Sequence, residues 1–137
     1  MTHRFALRVY YEDTDLAGIV YYANYLKFIE RARTEMVRSA GIDQSRLKAE
    51  HGLVFAVKHV EADYISPAKF DDELQVETVL TQAKGASFVM EQTVLRDATR
   101  LFFAKVQLVC LNERGHAARL PADIRQRIAE LAANTGL

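Results

Sequence analysis

The hydrophobic pattern of the chain changes its period near residue 52. Before that point, apolar residues from Tyr22 to Ala40 recur every three or four positions and cover about half of a helix circumference. Gly41 follows them, as is typical of a helix C-terminus. Because this apolar arc is wider than a surface helix needs, the pattern predicts a long helix enclosed on most sides by a curved sheet.

Alternation of apolar and polar residues predicts five strands, one before the long helix and four after it. Short turns separate the last three strands, which favours antiparallel hairpins over parallel crossovers. Two minor helices are also predicted. The strands are Phe5 to Tyr11, Leu53 to Ile65, Glu73 to Ala83, Ser87 to Arg96 and Leu101 to Asn112, and the minor helices are Asp43 to His51 and Pro121 to Ala133.

These elements fit one α+β domain over residues 1–137, with a five-stranded antiparallel sheet around a long central helix. A sheet of this kind has an edge strand and a face that the helix leaves exposed to solvent. Small α+β domains often cover them by pairing with a second copy of the same chain. The sequence therefore predicts a homo-oligomer.

Composition narrows the class of protein. The chain has 18 Lys and Arg against 18 Asp and Glu, so its net charge near zero argues against a nucleic-acid partner. Its one cysteine, Cys110, excludes an intrachain disulfide and fits a reducing compartment.

The first residues lack a signal-peptide core and no apolar run reaches the length of a membrane span, so a cytoplasmic location is predicted. The four histidines form no ligand pattern with Cys110, and we expect no metal and no redox cofactor.

The stretch from Glu12 to Arg33 carries the candidate chemistry. It leads from the end of a strand through an acidic, glycine-containing loop into the long helix, which places Asp15 near the free N–H groups of a helix start. A base and an oxyanion donor would meet there, and the apolar residues after Gly18 would partly desolvate the carboxylate. The alternative is that these acidic residues only cap the helix or face solvent.

Arg33 is a charged residue inside the apolar arc of the helix. A buried guanidinium there would need a partner, and we expect an acidic residue of a neighbouring strand. The alternative is that its long side chain reaches the surface.

Two segments closely resemble the signature of the 4-hydroxybenzoyl-CoA thioesterase family, in particular its branch of acyl-CoA thioesterases associated with the Tol–Pal system. The resemblance extends to about Leu111. The first segment is Y-E-D-T-D-L-A-G-I-V-Y-Y-A-N-Y from Tyr11 to Tyr25, followed by Phe28 and by E-R-A-R from Glu30 to Arg33, and the second is Y-I-S-P-A from Tyr64 to Ala68, followed by Asp71 and Asp72.

The resemblance implies a hot dog fold, with dimers that pair into tetramers and active sites at the subunit interface. It implies that Asp15 is the catalytic carboxylate and that a backbone N–H near Tyr22 polarises the thioester carbonyl. It also implies an acyl-CoA substrate, with coenzyme A as part of the substrate and no separate cofactor. The candidate substrate-binding residues beside Asp15 are Gly18, Ile19, Val20, Tyr21 and Tyr25.

Coenzyme A carries phosphates, so basic residues and turn donors should surround its binding site. An ordinary surface role is the alternative for each of them. The candidates are Lys58, Lys84 and Lys105, with Gly85 and Ser87 in the turn between two predicted strands.

Tyr22 departs from the family pattern, because many members of the Tol–Pal branch have histidine at this position. The backbone N–H does not depend on the side chain, so the predicted oxyanion donor is retained. The Tyr22 ring would form a hydrophobic wall or offer its hydroxyl group.

The predicted activity is hydrolysis of acyl-CoA thioesters, with Asp15 either as a base that activates water or as a nucleophile. The main alternative is an interaction module of low activity that docks acyl carrier protein or lipid-synthesis enzymes. A dehydratase is disfavoured, because its characteristic histidine is absent before the helix.

Overall fold

The computed structural model describes residues 2–133. Five antiparallel strands and three α-helices follow one another in an α+β arrangement, which confirms the predicted fold class. In chain order the elements are β1 (His3–Arg8), α1 (Asn24–Ser39), α2 (Gln44–His51), β2 (Val54–Tyr64), β3 (Glu73–Lys84), β4 (Ser87–Arg96), β5 (Thr99–Leu111) and α3 (Ala122–Ala133), with a single 3₁₀ turn at Tyr11–Asp13.

The sheet has the order β1-β3-β4-β5-β2, so the first two strands of the chain form its two edges. The three central strands are joined by hairpins, as their short connections predict. Helix α1 packs its apolar arc on one face of the sheet. The central residues Phe28, Ile29 and Met36 of the helix are each at most 1% exposed. They belong to the same core as Phe102 and Leu80 of the sheet.

Two element boundaries differ from the predicted ones. The first strand ends at Arg8 instead of Tyr11, because the chain turns where Asp13 N–H donates to Tyr10 O at 3.0 Å. The long helix begins at Asn24 instead of Tyr22. Tyr22 and Ala23 form a turn in front of it, closed by a 2.8 Å hydrogen bond from Asn24 N–H to Tyr21 O.

The edge strand β2 is poorly covered on its core-facing side. Val57 and Val60 lie opposite Leu108 and Val106 of β5 and therefore point to the same face of the sheet. Yet Val57 and Val60 are 47% and 38% exposed, whereas Leu108 and Val106 are 8% and 0% exposed. Helix α1 approaches the sheet most closely at β3 and β1, toward the opposite edge, and leaves this apolar edge open.

Candidate active site

The acidic loop forms a small hairpin that brings its two ends together. Asp15 N–H donates to Ile19 O at 2.9 Å, and Tyr21 N–H donates to Asp13 O at the same distance. Gly18 completes the turn with a φ of +80°, in the left-handed region that favours glycine. As a result, Asp15 and the residues that precede α1 belong to one compact loop.

The Asp15 carboxylate is held by its own loop. Its Oδ1 accepts a 2.9 Å hydrogen bond from Ala17 N–H, which orients the side chain at the tip of the hairpin. Asp15 is exposed and Leu16 points entirely into solvent. The predicted apolar enclosure of Asp15 is therefore absent from a single chain, because the apolar side chain of Val20 turns inward to the core instead of over the loop tip.

The turn before α1 presents unpaired backbone donors. Within residues 2–133, the N–H groups of Tyr22 and Ala23 make no hydrogen bond to a protein acceptor. Asn24 fixes the turn to the hairpin, since its Nδ2 donates to Asp13 O at 2.9 Å. These N–H groups stand at the positive end of the helix dipole, where a negative oxygen is stabilised.

A cavity of about 320 Å³ opens beside this turn. Its wall is mainly apolar and includes the buried ring of Tyr25, which stacks on Phe102 with ring centroids 4.9 Å apart. The segment after β2 closes the other side of the cavity, because Val20 N–H donates to Ala68 O at 2.9 Å. The lining residues are Ile19, Val20, Tyr22, Tyr25, Tyr64, Ile65, Ser66 and Pro67.

The structure thus gathers one group of the predicted site residues. Tyr22 lines the cavity with Ile19, Val20 and Tyr25. Gly18 lies in the adjoining hairpin. Tyr21 is partly exposed and contacts the Tyr22 ring, with centroids 4.9 Å apart.

The predicted coenzyme A residues lie elsewhere in the single chain. Lys84 and Ser87 flank the turn between β3 and β4, and Gly85 lies within it. The opposite end of the 12-residue strand β3 is the one near the acidic loop, so the two ends are up to roughly 36 Å apart at about 3.3 Å per residue. Lys58 is exposed at a bulge in the middle of β2. None of these four residues lines the cavity beside Tyr22.

Tyr64 is a site residue that the sequence analysis did not assign. It ends β2, and its Oη donates to Tyr22 O at 2.9 Å. Its ring also contacts that of Tyr22, with centroids 6.2 Å apart. The second segment that resembles the family, Tyr64 to Ala68, is the sequence feature that points to Tyr64. In the structure this segment packs against the acidic loop.

Two further observations concern cofactors and membranes. In the part of the chain that the structure describes, no three His, Cys, Asp or Glu side chains are grouped so as to hold a metal ion. Likewise, no helix within residues 2–133 combines the length and apolar character needed to cross a bilayer.

A family model described as the thioesterase-like superfamily matches residues 9–128. The chain belongs to the thioesterase-like superfamily. The predicted family resemblance and the predicted hot dog fold are therefore both confirmed.

Individual members of the superfamily are similar to this thioesterase over most of its length. The acyl-CoA thioesterase YbgC of Haemophilus influenzae is 46% identical over 108 residues, which are 79% of each chain. The acyl-CoA thioester hydrolase YbgC of Escherichia coli O6:H1 is 43% identical over 110 residues, or 80% of this chain and 81% of the relative. The crystal structure of a probable thioesterase from Bartonella henselae superposes with a TM-score of 0.83 at 40% identity, covering 88% of this chain and all of the other.

Proposed function

We propose that this thioesterase hydrolyses acyl-CoA thioesters to a free acid and coenzyme A. Asp15 acts as the base or nucleophile, and the N–H of Tyr22 donates to the thioester oxygen. The observation that supports these roles is the hairpin that joins Asp15 to a turn with unpaired N–H groups at the mouth of an apolar cavity. The names of the relatives from H. influenzae and E. coli support the substrate class.

As a general base, Asp15 takes a proton from water while the water oxygen bonds to the carbonyl carbon. The carbonyl oxygen becomes negative and is stabilised by the Tyr22 N–H. Collapse of this intermediate breaks the C–S bond, and the coenzyme A thiolate takes up a proton. A positioned base supplies about 10²–10⁴-fold in rate and one oxyanion donor about 10²–10³-fold.

As a nucleophile, the Asp15 carboxylate itself bonds to the carbonyl carbon and the thiolate leaves. Water then hydrolyses the mixed anhydride. Single-turnover hydrolysis in water labelled with oxygen-18 separates the two routes. The nucleophilic route places the label in Asp15 when water attacks the aspartyl carbonyl of the anhydride, whereas the general-base route leaves Asp15 unlabelled.

Substitution Asp15→Asn tests the proposal, since it keeps the size of the side chain and removes its basicity. We expect the hydrolysis of a panel of acyl-CoA esters, from acetyl to palmitoyl and including benzoyl-type esters, to fall by about 10²–10⁴-fold. Binding of coenzyme A and the oligomeric state should persist. An unchanged, low rate would contradict the proposal and favour the interaction module that docks acyl carrier protein.

We also propose that the enzyme is a homo-oligomer, either a dimer or a tetramer, with active sites at the subunit interface. The open apolar side of β2, with Val57 and Val60, supports this assembly. The position of Lys84, Gly85 and Ser87 supports it as well. These residues are remote from Asp15 in one chain, so they would contact coenzyme A at that site only if another subunit supplied them. A cytoplasmic location remains our prediction for the assembled enzyme.

A further inference from the structure

Tyr64 binds the carbonyl oxygen of Tyr22, which accepts no hydrogen bond from the N–H groups of helix α1. Tyr22 O lies just before α1, and Leu26 N–H, which an extended helix would direct to it, donates to Ala23 O at 3.2 Å instead. Tyr64 Oη donates to Tyr22 O instead, at 2.9 Å. The hydroxyl therefore makes the hydrogen bond that another turn of helix would have made.

Holding this oxygen also sets the direction of an N–H group. The Tyr22 carbonyl and the Ala23 N–H belong to one planar trans peptide and point in opposite directions. Ala23 has φ −70° and ψ −21°, a helical conformation that continues into α1. Its N–H, like that of Tyr22, has no acceptor among residues 2–133. Fixing the oxygen on one side of the peptide consequently fixes a free donor on the other.

The Tyr64 hydroxyl stands on a rigid support. Tyr64 pairs with Phe102 across β2 and β5, and its ring lies 5.1 Å from the Phe102 ring and 5.6 Å from the Tyr25 ring, centroid to centroid. Tyr25 is itself fixed, because its Oη accepts a 3.0 Å hydrogen bond from Ala68 N–H. Burial raises the pKa of the Tyr64 phenol, and the neighbouring Tyr22 and Tyr25 raise it further, so the hydroxyl stays protonated and able to donate.

We propose that Tyr64 is a positioning residue for thioester hydrolysis, which fixes the Tyr22–Ala23 peptide so that the Ala23 N–H becomes a second oxyanion donor beside the Tyr22 N–H. The proposal rests on the proposed function, because it concerns the same oxygen of the same thioester. Donors that are already oriented need no rearrangement as the charge develops. Without Tyr64, the peptide before α1 has no other described partner for its oxygen, and it can rotate away from the substrate.

The test compares Tyr64→Phe with Tyr11→Phe. Tyr64→Phe keeps the ring packing and removes only the hydroxyl. Tyr11→Phe is a matched control, because Tyr11 is 82% exposed and its hydroxyl makes no hydrogen bond within residues 2–133. We expect Tyr64→Phe to lower kcat about tenfold, the equivalent of one hydrogen bond, and to leave KM and the melting temperature close to wild type. Tyr11→Phe should match wild type in all three.

A second measurement follows the Ala23 amide directly and does not depend on turnover. In ¹⁵N-labelled protein, a non-hydrolysable acyl-CoA analogue with a ketone in place of the thioester should shift the amide protons of both Tyr22 and Ala23 downfield. In Tyr64→Phe the Ala23 shift should shrink. An unchanged kcat with an unchanged Ala23 shift would overturn the proposal, as would parallel losses in kcat, KM and melting temperature, which indicate a purely structural role.

Asp15→Asn, assayed beside these variants, separates this proposal from the proposed function. If Asp15→Asn is inactive and Tyr64→Phe behaves as wild type, only the positioning role of Tyr64 is wrong. If Asp15→Asn retains full activity, the assignment of the reaction to this loop fails, and the positioning role fails with it.

Discussion

Gln92 Oε1 accepts a 3.0 Å hydrogen bond from Nη1 of Arg33, so a neutral amide partners the cation inside the apolar arc of α1. The prediction of an acidic partner for Arg33 is therefore wrong. Burial lowers the pKa of the Arg33 guanidinium, and the nearby Glu30 carboxylate opposes that shift. Arg33 also lines a second cavity, of about 190 Å³, between α1 and the sheet.

Replacing Gln92 by Leu should destabilise the fold strongly. Gln92 is fully buried, and its Nε2 donates to Ile29 O and to Thr78 Oγ1, both at 2.9 Å. The substitution removes three hydrogen bonds, one of them from a charged group, and leaves the half-buried Arg33 guanidinium without its amide partner, so we expect the free energy of unfolding to fall by about 2–4 kcal/mol. Urea unfolding measures the change. Gln75→Leu, at an exposed position of β3, is the control and should stay within about 0.5 kcal/mol. Equal effects of the two substitutions would contradict this account.

The stability of the protein should depend on pH through His3. Its Nδ1 is buried and has no hydrogen-bond partner within residues 2–133, and burial lowers the pKa of the imidazole, although the Glu35 carboxylate raises it in part. As the pH falls, the unfolded chain therefore binds a proton at His3 before the folded chain does, and the free energy of unfolding decreases. Comparing wild type with His3→Gln between about pH 7.5 and 5.5 should show a shallower decrease in the variant. Identical pH slopes would exclude His3 as the cause.

Two glycines with similar backbone conformations should differ in their effect on activity. Gly18 and Gly115 have φ values of +80° and +76°, and an added Cβ would meet no atom within 4 Å at either position. Substitution by Ala should thus cost a similar free energy of unfolding at both sites, about 1 kcal/mol each. Only Gly18→Ala distorts the hairpin that carries Asp15, and it should lower kcat roughly tenfold or more. If Gly115→Ala lost as much activity, general destabilisation would explain both results.

A charged side chain on the exposed apolar face of β2 should weaken the assembly of subunits. Val60→Lys places an ammonium group on the apolar edge, where the proposed subunit contact would have to bury it unpaired. Sedimentation analysis should show a dissociation constant raised by roughly 100-fold or more, with single chains at low concentration. Glu61→Gln, on the next and exposed residue of the same strand, should leave the assembly intact. A wild-type mass distribution for Val60→Lys would place the interface elsewhere.

The sequence was sufficient for features that depend on local periodicity and insufficient for those that depend on distant partners. Helix α1 and all five strands were predicted, because their periods are long and consistent. The start of α1 was misplaced at Tyr22, since the turn there is held by a tyrosine that lies 42 residues away along the chain. The partner of Arg33 depends on which residue of β4 faces the helix, and this register is set by the assembled sheet. The distance of Lys84 from Asp15, by contrast, follows from the length of β3, which the alternation of apolar and polar residues predicts.

The order of the strands has a consequence for folding. The hairpins β3-β4 and β4-β5 join neighbouring segments, whereas both edges of the sheet require distant pairings, His3 with Thr78 and Val54 with Leu111. Closing such long loops is slow, so the central three strands should form first and the edges last. The acidic loop is joined to the segment after β2 through Val20 and Ala68, and it can be completed only when both edges are in place. The acidic loop should consequently be among the last parts to fold and among the first to open under mild denaturant, so activity should disappear before the central strands lose their protection from hydrogen exchange.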